Sequence, residues 1–368
     1  MKSSTTSRLA ATLAAASLAL AACGSDADNA AENAGSDGGG ESSLSGTLSG
    51  AGSSAQGAAM EGWIAGFQGQ NPDVTVNYDP VGSGGGREQF LSGGVPFAGS
   101  DAALDEEELA QVEERCGSAD GLVEVPLYIS PIAVAFNLPG VETLNLKPDT
   151  LAKIFKQEIK TWNDPAIAAV NPDAELPDTA ITPVNRSDES GTTENFQEYL
   201  AAAAPDVWTF EVDGNWPVPG GEAGQGTSGV VQATTATEGA ITYADASQVG
   251  ELGTVAVGVG EEFVEYSPEA AAAVVANSPE VEGRPDGSLA LELRRDTTES
   301  GNYPIVLVSY QLACKTYDDA TEAELVKAFF SYIASEEGQQ AAQESAGSAP
   351  ISDELRDKAT AVIDQIGA

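Results

Sequence analysis

The sequence predicts an α/β fold, because short segments with the period of a β-strand alternate along the chain with segments of helical period. Residues 55–68 carry apolar side chains at helical spacing, and residues 74–78, which follow them, alternate as a strand does. The chain has 368 residues, of which 42% are hydrophobic, so it can form one large or two ordinary folded domains.

The other elements continue this alternation toward the C-terminus. Strands are predicted at 44–50, 74–78, 125–137, 181–185, 239–243 and 305–312. Helices are predicted at 55–68, 87–91, 193–203 and 325–333, and another is predicted to start over 151–155. Ligands of α/β sheets collect where strands end and helices begin, so functional residues are expected at these junctions.

The N-terminus has the composition of an export signal. Residues 1–22 contain Lys2 and Arg8, no acidic residue, and an apolar run that is too short to span a membrane. The run ends in Leu-Ala-Ala-Cys23-Gly, which resembles the bacterial lipobox and implies cleavage before Cys23 and acylation of its thiol. The alternative is an ordinary signal peptide in which Cys23 is incidental. Residues 23–43 are small, polar and acidic, and predict a flexible linker to the folded body.

Charge and composition exclude several classes of function. The chain has 16 Lys and Arg against 57 Asp and Glu, a formal charge of −41, which argues against binding to nucleic acid. It has no His, so Ser-His-Asp catalysis, Cys-His catalysis and imidazole metal sites are excluded, and we expect no metal or cofactor. The acidic run 105–108 predicts the start of a helix. The segment 224–229 matches Gly-x-Gly-x-x-Gly, but no apolar strand precedes it, so we predict a flexible loop there.

Two cysteines remain once Cys23 is assigned to the signal. Cys116 and Cys314 would both lie in an oxidising compartment after export, which favours a disulfide between them. Such a bond would be worth roughly 5 kcal/mol in the chain-entropy model and less if it were strained. Two buried free thiols are the alternative.

Three segments combine small residues and hydroxyls at predicted junctions between a strand and a helix: 49–54, 81–86 and 186–192. Helix N-termini expose unpaired N–H groups and carry partial positive charge, and glycines let a ligand approach the backbone closely. The third segment adds an arginine, which donates to two oxygens at once. Together the three segments predict a site for an oxyanion.

These segments resemble the periplasmic phosphate-binding proteins of ABC-type phosphate transporters, the PstS family. The resemblance covers roughly residue 44 to the C-terminus, and its most specific piece is the run Arg-Ser-Asp-Glu-Ser-Gly-Thr at 186–192. Further similar segments lie at 48–52, 82–85, 97–101 and 239–243. Three positions depart from the family pattern: Ser54 stands where Thr is frequent, Ala55 replaces a common aromatic residue, and Gly84 replaces a common Ser.

The resemblance implies a set of phosphate-binding residues: Ser54, Ser83, Asp101, Arg186, Ser190, Gly191 and Thr192. Asp188 matches a position that supports the arginine. In this set Arg186 is the main charge partner of the anion. A carboxylate accepts hydrogen bonds only, so Asp101 would repel a bare anion and would favour a ligand that carries a proton, as hydrogen phosphate does. Asp101 is therefore the expected specificity residue.

The implied fold is a two-lobed α/β binding protein of the type II periplasmic class, with mixed sheets and two hinge crossings near 126–135 and 303–309. Lobe I would comprise 44–127 and 304–368, and lobe II would comprise 128–303. The implied function is that of a monomeric receptor, lipid-anchored at the outer face of the cell membrane. It would pass inorganic phosphate to a membrane permease driven by an ATPase, and it would not be an enzyme.

Three alternatives stay open at this point. The first is a receptor for another oxyanion, such as sulfate, molybdate or tungstate, against which Asp101 argues. The second is a phosphatase-type enzyme that uses the same anion cradle. The third is a phosphate sensor or surface adhesin whose partner is not a permease.

Overall fold

One continuous mixed sheet organises residues 44–368, the part of the chain that the computed structural model describes. The signal peptide predicted at 1–22, the lipidation site Cys23 and the linker at 23–43 lie outside the described residues. Within this range, no helix combines the length and the hydropathy needed to traverse a bilayer.

The sheet has eleven strands within the described range. They are β1 (Gly46–Gly52), β2 (Val74–Asp79), β3 (Phe97–Ser100), β4 (Leu122–Phe136), β5 (Thr143–Leu146), β6 (Thr182–Arg186), β7 (Glu222–Gly224), β8 (Ala240–Asp245), β9 (Gly253–Val259), β10 (Glu262–Val264) and β11 (Val306–Cys314). The main path runs β2-β1-β3-β11-β4-β8-β6-β7, and β9 pairs with β4, β5 and β10.

Helices cover the faces of this sheet. They are α1 (Gly57–Gln70), α2 (Ser83–Leu91), α3 (Glu106–Cys116), α4 (Pro148–Phe155), α5 (Pro165–Ala168), α6 (Gly191–Ala203), α7 (Gly226–Ala236), α8 (Pro268–Ala276), α9 (Ala320–Ala334), α10 (Glu336–Ala346) and α11 (Asp353–Ile363). Both parallel and antiparallel pairs occur in the sheet, so the predicted mixed α/β fold is confirmed.

Strand β4 belongs to two parts of the sheet at once. Its residues 122–131 pair with β11, and its residues 132–136 pair with β8. We call β1, β2, β3 and β11 the first sheet region and β5 to β10 the second. Beside the change of partner, the backbone N–H of Ile132 donates to the carbonyl of Ile305 at 2.7 Å. The chain therefore passes between the regions at two adjacent points, inside β4 and just before β11.

Two helix starts show how well local sequence signals work. Asp105 caps α3, accepting from the N–H of Glu108 at 2.7 Å while the Glu108 carboxylate accepts from the N–H of Asp105 at 3.0 Å, which confirms the predicted helix start. Helix α2 begins at Ser83, four residues before the predicted start at Arg87. The glycines at 84–86 disfavour a helix locally, but they allow close packing: a Cβ on Gly86 would lie 2.4 Å from the Cα of Gly52.

The predicted disulfide is confirmed. Cys116 ends α3, Cys314 ends β11, and the two are bonded with their Cα atoms 5.2 Å apart across a sequence separation of 198 residues. The bond ties α3 to the strand that pairs with β3 and β4.

Replacing both cysteines by Ala should lower the free energy of unfolding by about 2–4 kcal/mol, because the open chain gains conformational freedom when it unfolds. Chemical denaturation of the oxidised protein and of the double variant measures the difference. The same loss should follow reduction of the wild type with dithiothreitol, whereas reductant should leave the variant unchanged. Equal unfolding midpoints in all samples would contradict the prediction.

A buried carboxylate lies where β8 meets β4. Asp245 accepts from the Tyr128 hydroxyl at 3.0 Å and from the N–H of Ser247 at 2.9 Å, and none of the ion pairs among residues 44–368 includes it. Burial raises its pKa from 3.8 to about 6, against the hydrogen bonds of Ser247. The folded protein therefore holds a proton on Asp245 at pH values where the unfolded chain has lost it.

Stability should consequently rise as the pH falls from about 6 to about 4, with Asp245 contributing about 2 kcal/mol over that window. Denaturant unfolding across this range, at constant ionic strength, should show a flatter pH dependence for Asp245→Asn than for the wild type. Asp173→Asn, at an exposed position, is the matched control and should keep the wild-type slope. A slope unaffected by Asp245→Asn would show that this carboxyl does not titrate as described.

Candidate functional site

The eight site residues predicted from sequence converge where the first and second sheet regions face each other. The first region supplies three of them, at the end of β1, the start of α2 and the end of β3: Ser54, Ser83 and Asp101. The second supplies five, at the end of β6, in the loop that follows and at the start of α6: Arg186, Asp188, Ser190, Gly191 and Thr192. The two sets are joined by direct contacts.

Asp101 is the most enclosed carboxylate of the site, with 3% of the residue exposed. The Ser309 hydroxyl donates to its Oδ1 at 2.6 Å, and the Thr192 hydroxyl donates to its Oδ2 at 3.0 Å. Burial raises the pKa of Asp101, and these hydrogen bonds oppose the increase. The resemblance implies that Thr192 binds the anion. Here its hydrogen goes to Asp101, because an ionised carboxylate with little access to water attracts the nearest donor.

Ser83, the first residue of α2, holds the backbone of Asp101. Its Oγ accepts from the Asp101 N–H at 3.1 Å, which leaves the hydroxyl hydrogen free to point elsewhere. Gly82 before it has φ 100°, a conformation that favours glycine. A Cβ on Gly82 would also lie 2.5 Å from Oδ2 of Asp188. The glycine thus allows the N-terminus of α2 to approach the loop after β6.

Arg186 and Asp188 form a two-bonded ion pair. Nε of Arg186 donates to Oδ1 of Asp188 at 2.9 Å, and Nη2 donates to Oδ2. Although burial opposes ionisation, hydrogen bonds and charge from Arg186 lower the pKa of Asp188. Arg186 is 3% exposed. Its third nitrogen, Nη1, donates to no residue in the range 44–368. Asp188 therefore fixes the guanidinium while a donor edge stays available for an anion.

The N-terminus of α6 completes this side. Ser190 is the cap residue, and its Oγ accepts from the N–H of Thr193 at 3.3 Å. Gly191 lies so close to the first region that a Cβ there would be 2.8 Å from the Cβ of Asp101. One turn later, the Asn195 side chain donates to the carbonyls of Asp101 and Gly191, both at 2.7 Å. The free N–H groups at the helix start are thereby held beside Asp101.

Ser54 contacts a segment whose structure the sequence analysis predicted wrongly. The segment 224–229 is not a flexible loop: Gly224 ends β7 and Gly226 begins α7. The N–H of Thr227 donates to Oγ of Ser54 at 3.0 Å, and the N–H of Gly226 donates to Asp188 at 2.9 Å. The error has a physical cause, since β7 has three residues and lies at the end of the sheet path, so no apolar run marks it.

Three further site residues were missed: Asn195, Thr227 and Ser309. Asn195 and Ser309 lie inside a predicted helix and a predicted strand and carry no local signal of function. Thr227 could have been found, because Gly226-Thr227 repeats the pairing of glycine and hydroxyl at a helix start that marks Gly191-Thr192. Taken together, the site offers a guanidinium, helix N-termini, hydroxyls and one acceptor carboxylate, which suits a tetrahedral oxyanion that carries a proton.

Comparison with known proteins shows the family to which the chain belongs. Residues 37–337 match the family model described as a PBP superfamily domain. The chain is 35% identical over 278 residues to the phosphate-binding protein PstS 3 of Mycobacterium leprae, covering 74% of this chain and 75% of that protein. The chain belongs to the PstS family. Another PstS protein, that of Xylella fastidiosa, is 32% identical over 276 residues, covering 73% of this chain and 72% of the other. The resemblance predicted from the sequence is confirmed.

Solved structures share the fold of this PstS-family chain. A high-affinity periplasmic phosphate-binding protein with bound phosphate superposes with a TM-score of 0.68 at 22% identity, covering 87% of this chain and 99% of the other. A phosphate-binding protein of Stenotrophomonas maltophilia gives 0.66 at 19% identity, covering 86% and 94%. The predicted periplasmic-binding-protein-like fold is therefore confirmed.

Proposed function

We propose that this protein captures inorganic phosphate between its two sheet regions and delivers it to the permease of an ABC-type phosphate importer, whose ATPase drives transport. The observation that carries the proposal is a buried carboxylate, Asp101, set among donors that suit an anion. The names of the relatives, which are phosphate-binding PstS proteins, support the same ligand.

The acceptor carboxylate is what favours phosphate over other oxyanions. Asp101 has little exposure and is contacted by the hydroxyls of Ser309 and Thr192 rather than by a cation in direct contact. Hydrogen phosphate can donate its proton to such a carboxylate. Sulfate at neutral pH has no proton to donate, so its oxygens would face the negative charge of Asp101.

We also propose that the protein performs no chemistry on the anion. A nucleophilic serine needs a base that accepts its hydrogen. In the described residues, Oγ of Ser83 accepts from the N–H of Asp101 and Oγ of Ser190 accepts from the N–H of Thr193, and neither hydroxyl donates to a base. The Ser309 and Thr192 hydroxyls do donate to the Asp101 carboxylate, and we assign them to holding that carboxylate in place for the anion. Both serines are thus arranged as hydrogen-bonding ligands.

The two sheet regions are proposed to form the cores of two lobes, with lobe I comprising 44–127 and 304–368 and lobe II comprising 128–303. Residues 128–131, which still pair with β11, lie at the crossing between the lobes. The chain passes between the regions at two adjacent points, in β4 and before β11, as a two-strand hinge requires. An anion bound to Asp101 on one side and Arg186 on the other would favour the closed arrangement, because it contacts both. Acylation of Cys23 would keep this monomeric receptor at the outer face of the membrane, near the permease.

Isothermal titration calorimetry of the purified protein with phosphate and with sulfate tests the proposal. We expect saturable phosphate binding with one site and no measurable binding of sulfate under the same conditions at neutral pH. Equal affinities would point to a general oxyanion receptor. Hydrolysis of a phosphate monoester that disappears in Ser83→Ala would support the phosphatase alternative instead.

A further inference from the structure

An ion pair joins the two sheet regions beside the proposed anion site. Arg87, in α2, is 5% exposed. Two of its donors contact residues of β3 and α3, which belong with the first sheet region: Nε donates to Glu108 at 2.7 Å and Nη1 donates to Ser100 at 3.1 Å. Its Nη2 donates to Oε1 of Glu189 at 2.8 Å. Glu189 belongs to the loop between β6 and α6, and 46% of its side chain is exposed. Of the two glutamates that pair with Arg87, Glu108 belongs with the first sheet region and Glu189 with the second.

A glycine makes this contact sterically possible. A Cβ on Gly84 would lie 2.3 Å from Cδ of Glu189 and 2.6 Å from its Oε1, so the glutamate side chain crosses the space that any other residue would fill. The bond between Arg87 and Glu189 therefore depends on the lack of a side chain at position 84.

We propose that Glu189 is an affinity-determining positioning residue, which through its bond to Arg87 holds the two regions together without contacting the anion. The inference rests on the proposed function for the identity of the anion. Glu189 directly precedes Ser190, the cap of α6, so a fixed Glu189 also fixes the donors at the start of that helix.

The energetics favour a role in the closed arrangement. Glu108 and Ser100 hold Arg87 in place whether or not Glu189 is near, so forming the third bond restricts the rotamers of Glu189 alone. Glu189 is half exposed, so the bond is partly screened by solvent and its effect is modest. Because the bond spans the regions, its loss should act on release of the anion more than on its capture.

The first experiment measures phosphate binding kinetics by stopped flow for the wild type, Glu189→Ala and Glu158→Ala. Glu158 is the matched control, since its side chain is 49% exposed and pairs at 2.9 Å with Lys156, within the second-region side. We expect Glu189→Ala to raise the dissociation rate about 3- to 20-fold and to leave the association rate within about twofold. Thermal unfolding without phosphate should be unchanged in both variants. Equal dissociation rates for the two variants would overturn the inference.

A double-mutant cycle with Gly84 separates steric blocking from general damage to α2. Gly84→Ala should weaken phosphate binding in the wild-type background, because its Cβ displaces the Glu189 side chain. It should add no further loss in the Glu189→Ala background, where that side chain is gone. Losses that simply add would contradict a shared mechanism.

A measurement without phosphate keeps the inference separate from the proposed function. Fluorescent labels at Glu61→Cys, in α1, and at Asp173→Cys, between α5 and β6, occupy two exposed positions and report the separation of the regions by energy transfer. Glu189→Ala should lower the closed fraction of the phosphate-free protein, whereas Glu158→Ala should not. A protein that binds no phosphate but shows this shift would refute the proposed ligand and retain the positioning role. Normal phosphate binding, with no effect of Glu189→Ala on the closed fraction, would support the proposed ligand and refute the positioning role.

Discussion

Asp101→Asn is expected to abolish most of the discrimination between phosphate and sulfate. The amide is nearly isosteric with the carboxylate, but it carries no charge and has an N–H that can donate to a sulfate oxygen. The ratio of phosphate to sulfate affinity should therefore fall by about 100- to 1000-fold, equivalent to about 3–4 kcal/mol, as expected when a buried charge no longer opposes the wrong ligand. Competition calorimetry with both anions at neutral pH measures the ratio.

A matched substitution shows whether the effect is local. Asp120 lies on the exposed turn before β4, and Asp120→Asn removes the same charge from the same chain without touching the site. It should keep the wild-type affinity ratio. If Asp101→Asn also kept that ratio, selectivity would have to come from another group, and the role of Asp101 as specificity residue would be wrong.

The same reasoning sets a pH dependence for the wild type. Burial raises the pKa of Asp101, so on acidification it takes up a proton before an exposed aspartate does. A protonated Asp101 can donate to sulfate as Asn would. Discrimination in the wild type should therefore decline as the pH falls and approach that of Asp101→Asn, whose own affinity ratio should depend less on pH.

How much of this site was predictable depends on how locally each part is encoded. Arg186, Asp188, Ser190 and Thr192 lie in one run of seven residues, where a strand, a turn and a helix start fix their relative positions. Their assembly therefore follows from the sequence pattern. Ser309, by contrast, is separated from Asp101 by 208 residues along the chain. It reaches Asp101 only because β11 pairs with β3, the strand that Asp101 directly follows. No local pattern records such a pairing.

The glycine-rich segments show a second limit, which is that propensity and packing can disagree. The glycines at 84–86 have low helix propensity, yet they lie in the first turn of α2. The space next to Gly84 is occupied by the side chain of Glu189 and the space next to Gly86 by Gly52, so larger residues would not fit there. Tertiary contacts, which the sequence pattern does not display, decide the outcome there. The same holds for β7, which is too short to produce a periodic signal.

Arg186→Gln is expected to lower phosphate affinity by about 1000-fold, or about 4 kcal/mol, because the anion loses its main cationic partner in a region with little water. Equilibrium dialysis with labelled phosphate covers the weak binding that results. Arg356→Gln, which alters an ion pair on α11 away from the site, is the control and should bind as the wild type does. An affinity for Arg186→Gln within tenfold of the wild type would exclude Arg186 as the main charge partner.

Part of that loss should come from Asp188 rather than from the missing donors. Without the guanidinium, Asp188 keeps its hydrogen bond from Gly226 but no longer has its cation, so its charge would repel the approaching anion. The double variant Arg186→Gln/Asp188→Asn should therefore bind phosphate about tenfold more tightly than Arg186→Gln alone. In the wild-type background Asp188→Asn should weaken binding, since it releases the guanidinium from its fixed position. Asp188→Asn should thus lower the phosphate affinity when Arg186 is present and raise it when Arg186 is replaced by Gln. Such a reversal is expected of a carboxylate that acts through the arginine, and a carboxylate that contacted the anion itself would not produce it.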